Sequence, residues 1–271
     1  MKNALIIYIR NQEQGGEALV RKIFLVICLM VFCGSAAYIL HYVYLNMTAQ
    51  KTINEVAESR SRGLEEVYAK NNDLVGWIYI EGTKIDYPVM QTVSDPEFYL
   101  HRDFNKEYSE SGTPFLDSFS SIARATRVDG EITDYSTWNW LIYGHHMKFG
   151  TMFHDLMKFK DKEFWEKHKT LEFDRIRIDA EGNITEVDED YEIIAAVYSQ
   201  IYPKNSNAFK YYSYAGYYDE ESFYDYIAGV KADACYDTGI SATYGDQLVT
   251  LSTCAYHTDN GRFYIVAKRI Q

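Results

Sequence analysis

From Ile23 to Leu40 the chain carries no charged residue, and with His41 as the only interruption its apolar character runs on to Leu45. An α-helix rises 1.5 Å per residue, so about 20 such residues cross the roughly 30 Å hydrocarbon core of a bilayer. A stretch this long and this apolar is set apart from any water-soluble domain, and residues 23–45 are expected to be a transmembrane anchor. Gly34, Ser35, Ala36 and Ala37 imitate a signal-peptide cleavage site. The apolar run continues past them, however, which favours an anchor that is retained. Ahead of the run, Lys2, Arg10, Arg21 and Lys22 outnumber Glu13 and Glu17. By the positive-inside rule, residues 1–22 form a short cytoplasmic segment of a single-pass protein of the cell membrane, and the remainder lies outside.

That remainder is acidic. The whole chain has a formal charge of -12, and because its first 22 residues are net positive, the rest carries about -14. Phosphate binding needs clustered Lys and Arg, so no nucleic-acid partner is expected. Residues 46–71 read as a helical spacer with weak apolar spacing at Ile53, Val56, Leu64 and Val67, packed lightly on the domain after it. From residue 72 the periodicity shifts towards two, and 72–271 is expected to be one domain.

Eight strands are predicted there: 76–80, 85–89, 113–116, 138–143, 170–178, 191–198, 247–251 and 262–269. Short helices are predicted over 152–159, 162–168 and 220–231. The fold class is therefore mainly β with peripheral helices, and eight strands with few long helices point to a closed barrel, which removes exposed edges. The acidic run Asp188, Glu189, Asp190 reads as a solvated turn rather than a calcium cage.

Chemistry concentrates at strand ends. Thr250, Leu251, Ser252, Thr253 and Cys254 close a β-branched run, so the thiol stands where a strand stops. Arg262 opens the next apolar run, and a hairpin would set its guanidinium beside that thiol. Upstream, Trp140, Leu141, Ile142 and Tyr143 end at Gly144 and deliver His145 and His146. An unperturbed cysteine titrates near 8.5 and histidine near 6.5, so roughly 1% of molecules at pH 7 hold thiolate and imidazolium together. Such a set suits acyl transfer: Cys254 as nucleophile, His145 as acid to the leaving amine, Arg262 as a fixed cation for the oxyanion. His146 competes with His145 for its role. Ser252, Thr253, Asn139 and Tyr143 are candidate substrate-binding residues, with a tight strand-end fit as the alternative for the first two and core or strand-pair packing for the others. Cys254 and His257 are spaced as a CxxH pair that His145, His146 and His154 could extend towards zinc. Structural zinc sites show two paired ligand motifs and only one is present, so no metal or cofactor is expected.

The TLSTC pentapeptide, the arginine eight residues after its cysteine, the LIYGHHM segment and the stretch NDLVGWIYIEGTKIDYPVMQ over 72–91 together resemble the sortases, the class B sortases in particular. The resemblance covers most of residues 72–270, and it implies that Tyr198, Tyr202, Tyr211, Tyr212 and Tyr214 sit in the loop and helix over the binding groove, where some of them contact the substrate peptide. It implies a closed eight-stranded sortase-type β-barrel, with Cys254, His145 and Arg262 as nucleophile, acid and oxyanion cation. It also implies a membrane-anchored cysteine transpeptidase of a Gram-positive cell. Such an enzyme cleaves a secreted protein at a C-terminal sorting motif of the NPxTx or xPxTG kind, after Thr. It passes the protein to an amine of a peptidoglycan precursor or cross-bridge, or to a pilin. One region departs from the family pattern: residues 118–137 separate the third and fourth strands by more than expected, as an exposed insertion. Two other readings fit the same residues. One is an endopeptidase with water as acceptor; the other is a non-catalytic anchored module with a Cys235–Cys254 disulfide.

Overall fold

Alternating apolar residues on strands that can close on themselves explain most of the architecture. The computed structural model describes residues 2–122, 126–128, 131–133, 136–179, 181–216 and 219–270. Its helices and strands, in chain order, are α1 (Lys2–Arg60), α2 (Leu64–Lys70), β1 (Leu74–Tyr79), β2 (Asp86–Met90), β3 (Phe115–Leu116), β4 (Thr126–Val128), β5 (Glu131–Thr133), β6 (Asn139–Tyr143), α3 (Lys162–Lys167), β7 (Thr170–Ile178), β8 (Ile184–Val187), β9 (Asp190–Gln200), α4 (Glu220–Ala232), β10 (Leu248–Cys254) and β11 (Gly261–Arg269). Three 3-10 segments, Phe98–His101, Phe153–Lys160 and Tyr211–Ser213, complete the set.

The chain forms two compact units, Met1–Thr48 and Ala49–Gln271. In the first, the segment from Val20 belongs to a helix long and apolar enough to cross a membrane. The second holds the barrel. Its strands follow the order β1-β2-β3-β6-β10-β11-β9-β7, and β1 pairs back onto β7, closing eight strands into a ring with β8 added outside β7. Within the ring β2–β3 and β6–β10 run parallel, and the other neighbours are antiparallel. All eight sequence-predicted strands are present, although the third is reduced to Phe115–Leu116.

Along β10 and β11 the alternation sorts residues between two layers. Val249, Leu251, Phe263, Ile265 and Ala267 point into the barrel core with Trp140, Ile142 and Phe173. Leu248, Tyr264 and Val266 face outwards, where Phe223, Tyr226, Ile227 and Val230 of α4 cover them together with Tyr211. Asp219 caps α4 by accepting from the Ser222 backbone N–H at 3.0 Å.

Two expectations are corrected. The spacer does not pack lightly: Val56, Leu64 and Val67 are buried with Leu74, Trp77, Met90, Tyr99 and Ile176. Gly63, at φ +113°, breaks the helix between α1 and α2 so that both pieces turn apolar residues inwards. Arg60 adds a bridge, with its Nη2 2.5 Å from both Asp174 Oδ2 and Glu186 Oε1. The acidic run is not a fully solvated turn either. The Glu189 side chain is 7% exposed, ion-paired with Arg175 and Arg269 and accepting from the Tyr191 hydroxyl at 2.8 Å. Cationic and hydroxyl partners from neighbouring strands offset its desolvation. The expected exposure of 118–137 falls largely outside the described side chains. Its base is pinned, since Thr137 N–H donates to Ser121 O at 3.0 Å and Gln91 Nε2 to Ser120 O at 2.8 Å.

Replacing Leu64 with Ala leaves a cavity in a fully buried site, so urea unfolding should show a loss of about 2–5 kcal/mol with an unchanged m-value. A loss within the range of surface substitutions would mean that the spacer is not part of the domain core.

Candidate active site

Strand direction brings the sequence-predicted residues together. β6 and β10 run parallel, with Leu248 beside Asn139, Thr250 beside Leu141 and Ser252 beside Tyr143, so both strands end at the same rim of the barrel. β6 ends at Tyr143, two residues before His145, so the histidine pair is delivered to the rim where β10 ends at Cys254. On the other side, β11 runs antiparallel and begins where β10 ends, pairing Cys254 with Arg262. Ala255 N–H donates to Gly261 O at 3.0 Å, which makes 255/261 a hydrogen-bonded pair and Cys254/Arg262 a non-hydrogen-bonded one. Pairs of that class bring their Cα atoms to about 4.5 Å and their side chains closest. Cys254 and Arg262 thus lie on adjacent strands, and His145 follows the end of β6 on the other side of β10, at the same rim.

Each is held. His145 Nε2 lies 2.8 Å from Leu100 O; a carbonyl only accepts, so Nε2 carries the proton and Nδ1 is the ring atom left for other chemistry. The ring also stacks on His101 at 5.6 Å between centroids. Burial, with a smaller contribution from His101, holds the His145 pKa below its ordinary value against the opposing pull of the Leu100 carbonyl. Gly144 has no room for a side chain, because a Cβ would stand 2.5 Å from the Phe153 ring. Phe153 in turn fixes the loop, its N–H donating to His145 O at 2.9 Å. The Arg262 guanidinium is tied to its own hairpin, with Nη1 donating to Gly261 O at 3.0 Å. Cys254 is half-buried, and both it and Cys235 are free thiols, so the bridged module has no disulfide to stand on.

The candidate substrate residues are engaged within the protein. Asn139 is fully buried; its Oδ1 accepts from Thr250 Oγ1 at 2.8 Å and its Nδ2 donates to Tyr214 O at 3.2 Å. Ser252 Oγ and the Tyr211 hydroxyl are 2.6 Å apart, and Thr253 Oγ1 donates to Gly144 O at 2.7 Å. The Tyr143 hydroxyl donates to Asp117 Oδ2 at 3.0 Å. Burial drives the Tyr143 pKa well above its ordinary value, Asp117 adds to this, and Arg262 opposes it. Burial likewise pushes Tyr211 up to about 12, with Arg262 again pulling the other way. Of the five tyrosines singled out, Tyr211 is the one buried against the active-site strand, stacked on Tyr264 at 4.0 Å. Sequence spacing did not separate it from its neighbours Tyr212 and Tyr214.

The zinc-type residues do not converge on one point. His257 packs edge-on against Tyr198. Among the described residues, the cluster able to hold a metal is Asp174, Glu186 and Asp188, two members of which already bind Arg60.

No protein-family model matches the chain. Sortase B of Listeria monocytogenes is 32% identical over 231 residues, covering 84% of this chain and 81% of that protein. The chain belongs to the sortase B family. The crystal structure of Clostridium perfringens sortase B superposes with a TM-score of 0.61 at 29% identity, over 77% of this chain and all of that one. A Staphylococcus aureus sortase B–substrate complex shares the fold, with a TM-score of 0.65 at 23% identity over 83% and 98% of the two chains. The fold is therefore the closed sortase barrel, and the activity of the family is that of a cysteine transpeptidase.

In this sortase His101 disfavours the imidazolium of His145 both by its own charge and by covering the ring. Replacing His101 with Ala should raise the His145 pKa, read by NMR titration of its ring protons. An unchanged or lower value would mean that the depression comes from elsewhere.

Proposed function

We propose that this sortase cleaves a secreted protein at a C-terminal sorting motif of the NPxTx or xPxTG kind, after Thr, and transfers it to an amine of the cell wall or of a pilin. The observation that supports the reading is the register of β6, β10 and β11, which pairs Cys254 with Arg262 and ends β6, two residues before His145, at the same rim. The Cys254 thiolate attacks the threonine carbonyl carbon, and the carbonyl oxygen takes the negative charge beside the Arg262 guanidinium. As the C–N bond breaks, His145 gives its proton from Nδ1 to the departing amine, leaving a thioester on Cys254. The acceptor amine then attacks the thioester carbonyl, loses a proton to His145, and releases the thiolate. The cycle ends with the protonation states in which it began.

Asn139, Tyr143, Ser252 and Thr253 form the wall behind the reacting groups, with their polar atoms committed to holding it in shape. The substrate complex of the Staphylococcus aureus relative supports a substrate-bound state on this fold. The uncharged run from Ile23, inside the apolar helical span that begins at Val20, supports a single-pass anchor, and Arg21 and Lys22 ahead of that run support a cytoplasmic N-terminus with the barrel outside. The chemistry asks for no metal or cofactor.

The test is a peptide library of the xPxTx type, incubated with and without oligoglycine or a diaminopimelate-type amine and read by mass spectrometry. Amine-dependent ligation after Thr, absent in Cys254→Ala, is expected. Arg262→Ala should lower kcat about 100- to 1000-fold with little change in KM, as for loss of an oxyanion partner. Free acid alone, whichever amine is added, would make the protein an endopeptidase.

A further inference from the structure

The second histidine of the pair sits on the nucleophile's own main chain. Its Nδ1 lies 2.8 Å from the carbonyl oxygen of Cys254. Because a carbonyl only accepts, Nδ1 must carry a proton, which fixes the tautomer of a neutral ring.

This contact occupies a particular place in the sheet. In the parallel β6–β10 pairing, Gly144 N–H donates to Ser252 O at 3.0 Å. The next rung of a parallel ladder would join the N–H of residue 146 to the oxygen of residue 254. The His146 main chain has turned away, forming an isolated bridge with Met152 instead, and the ring takes the rung. Cys254 O cannot turn to β11, since Cys254/Arg262 is a non-hydrogen-bonded pair in which the polar groups of Cys254 point away from β11, towards β6. The ring itself is braced: His154 meets it edge-on at 4.7 Å and Tyr256 lies 5.3 Å away. The His154 side chain carries no mark of a catalytic partner, as its buried Nδ1 has no hydrogen-bond partner among the described residues.

Resting on the transpeptidase reading, we propose that His146 is a positioning residue: its Nδ1–H bond to the Cys254 carbonyl replaces the missing ladder rung and fixes the last residue of β10, so that the thiol meets the substrate carbonyl in one orientation. His145 serves proton transfer, and His146 serves alignment. Without that bond the Cys254–Ala255 peptide is held on its N–H side alone, by Gly261 O, and misplacing a nucleophile by about 1 Å can cost up to a hundredfold in rate.

The discriminating series is His146→Ala, His146→Phe, His146→Gln and His146→Asn in the full chain, solubilised in detergent. Phe keeps the packing against His154 and Tyr256 but has no donor. Gln places its donor near the Nε2 position and Asn places one near Nδ1. Ala, Phe and Gln should each lower kcat about tenfold or more with KM within about twofold, and Asn should recover most of the loss. The bond can also be read without turnover. Cys-Ala occurs once in the chain, at Cys254–Ala255, so carbonyl-13C cysteine with 15N alanine gives a single correlation reporting the Cys254 carbonyl. That signal should shift in His146→Ala and return in His146→Asn, and 15N spectra should show His146 protonated at Nδ1. Wild-type kcat in His146→Ala or His146→Phe would overturn the proposal. So would equal loss in all four folded variants, or an Nε2–H tautomer of neutral His146. If a variant fails to fold, the wild-type tautomer and His146→Asn still decide. If the wild-type protein has no transpeptidase activity, the reading of function fails separately, and the carbonyl and tautomer signals still accept or reject the bond.

Discussion

The parallel pairing of β6 with β10 is the constraint on which the rest depends. Parallel strands finish at the same edge of a sheet, so the residues just past β6 and those that end β10 are delivered to one rim although about a hundred positions separate them. The antiparallel β11 then starts at that rim and supplies Arg262 beside Cys254. No local turn could bring a histidine, a thiol and a guanidinium together in this order. An all-antiparallel meander would place alternate strand ends at opposite rims and split the set.

A register needs anchoring, because a slip of one residue would turn every side chain to the other layer. Behind the site the anchors are polar and buried. Thr250 Oγ1 bonds Asn139 across the β6–β10 pair, and the Tyr226 hydroxyl of α4 lies 2.6 Å from the same Thr250 oxygen. Tyr211 does the same for Ser252. Buried hydroxyls and amides that find partners specify one arrangement, whereas an apolar surface would tolerate several. The aromatic cover of α4 and the Tyr211 segment therefore fixes which residues of β10 face which layer, as well as excluding water from them.

Much of the fold was legible in the chain. The alternation over 247–251 and 262–269, the glycine-containing turn after Ile80, and the helical spacing of Phe223, Ile227 and Val230 all record local burial, and local burial has a period; Tyr224, read on the same helical face, is instead exposed, and Tyr226 takes the buried place. β8 was not legible: Ile184–Val187 lies on the outside of β7 with no fully buried residue, so it carries no apolar alternation to read. The depth of Glu189 was also hidden, because an acidic run looks solvated until Arg175 and Arg269 are known to reach it. The docking of Leu64 and Val67 was underestimated for a related reason. Their apolar stripe is short, and only the turn at Gly63 and the Arg60 bridge give it a surface to meet.

The sequence by itself determined the apolar helical segment and the eight barrel strands, and it singled out Cys254, His145 and Arg262 as candidates, since each depends on residue type and spacing along the chain. The different surroundings of the two histidines were decided only in three dimensions. His145 and His146 are neighbours with the same side chain, and what separates them is the carbonyl each one meets: Leu100 for the first and Cys254 for the second. Those oxygens come from distant segments that the closed barrel alone brings to one rim.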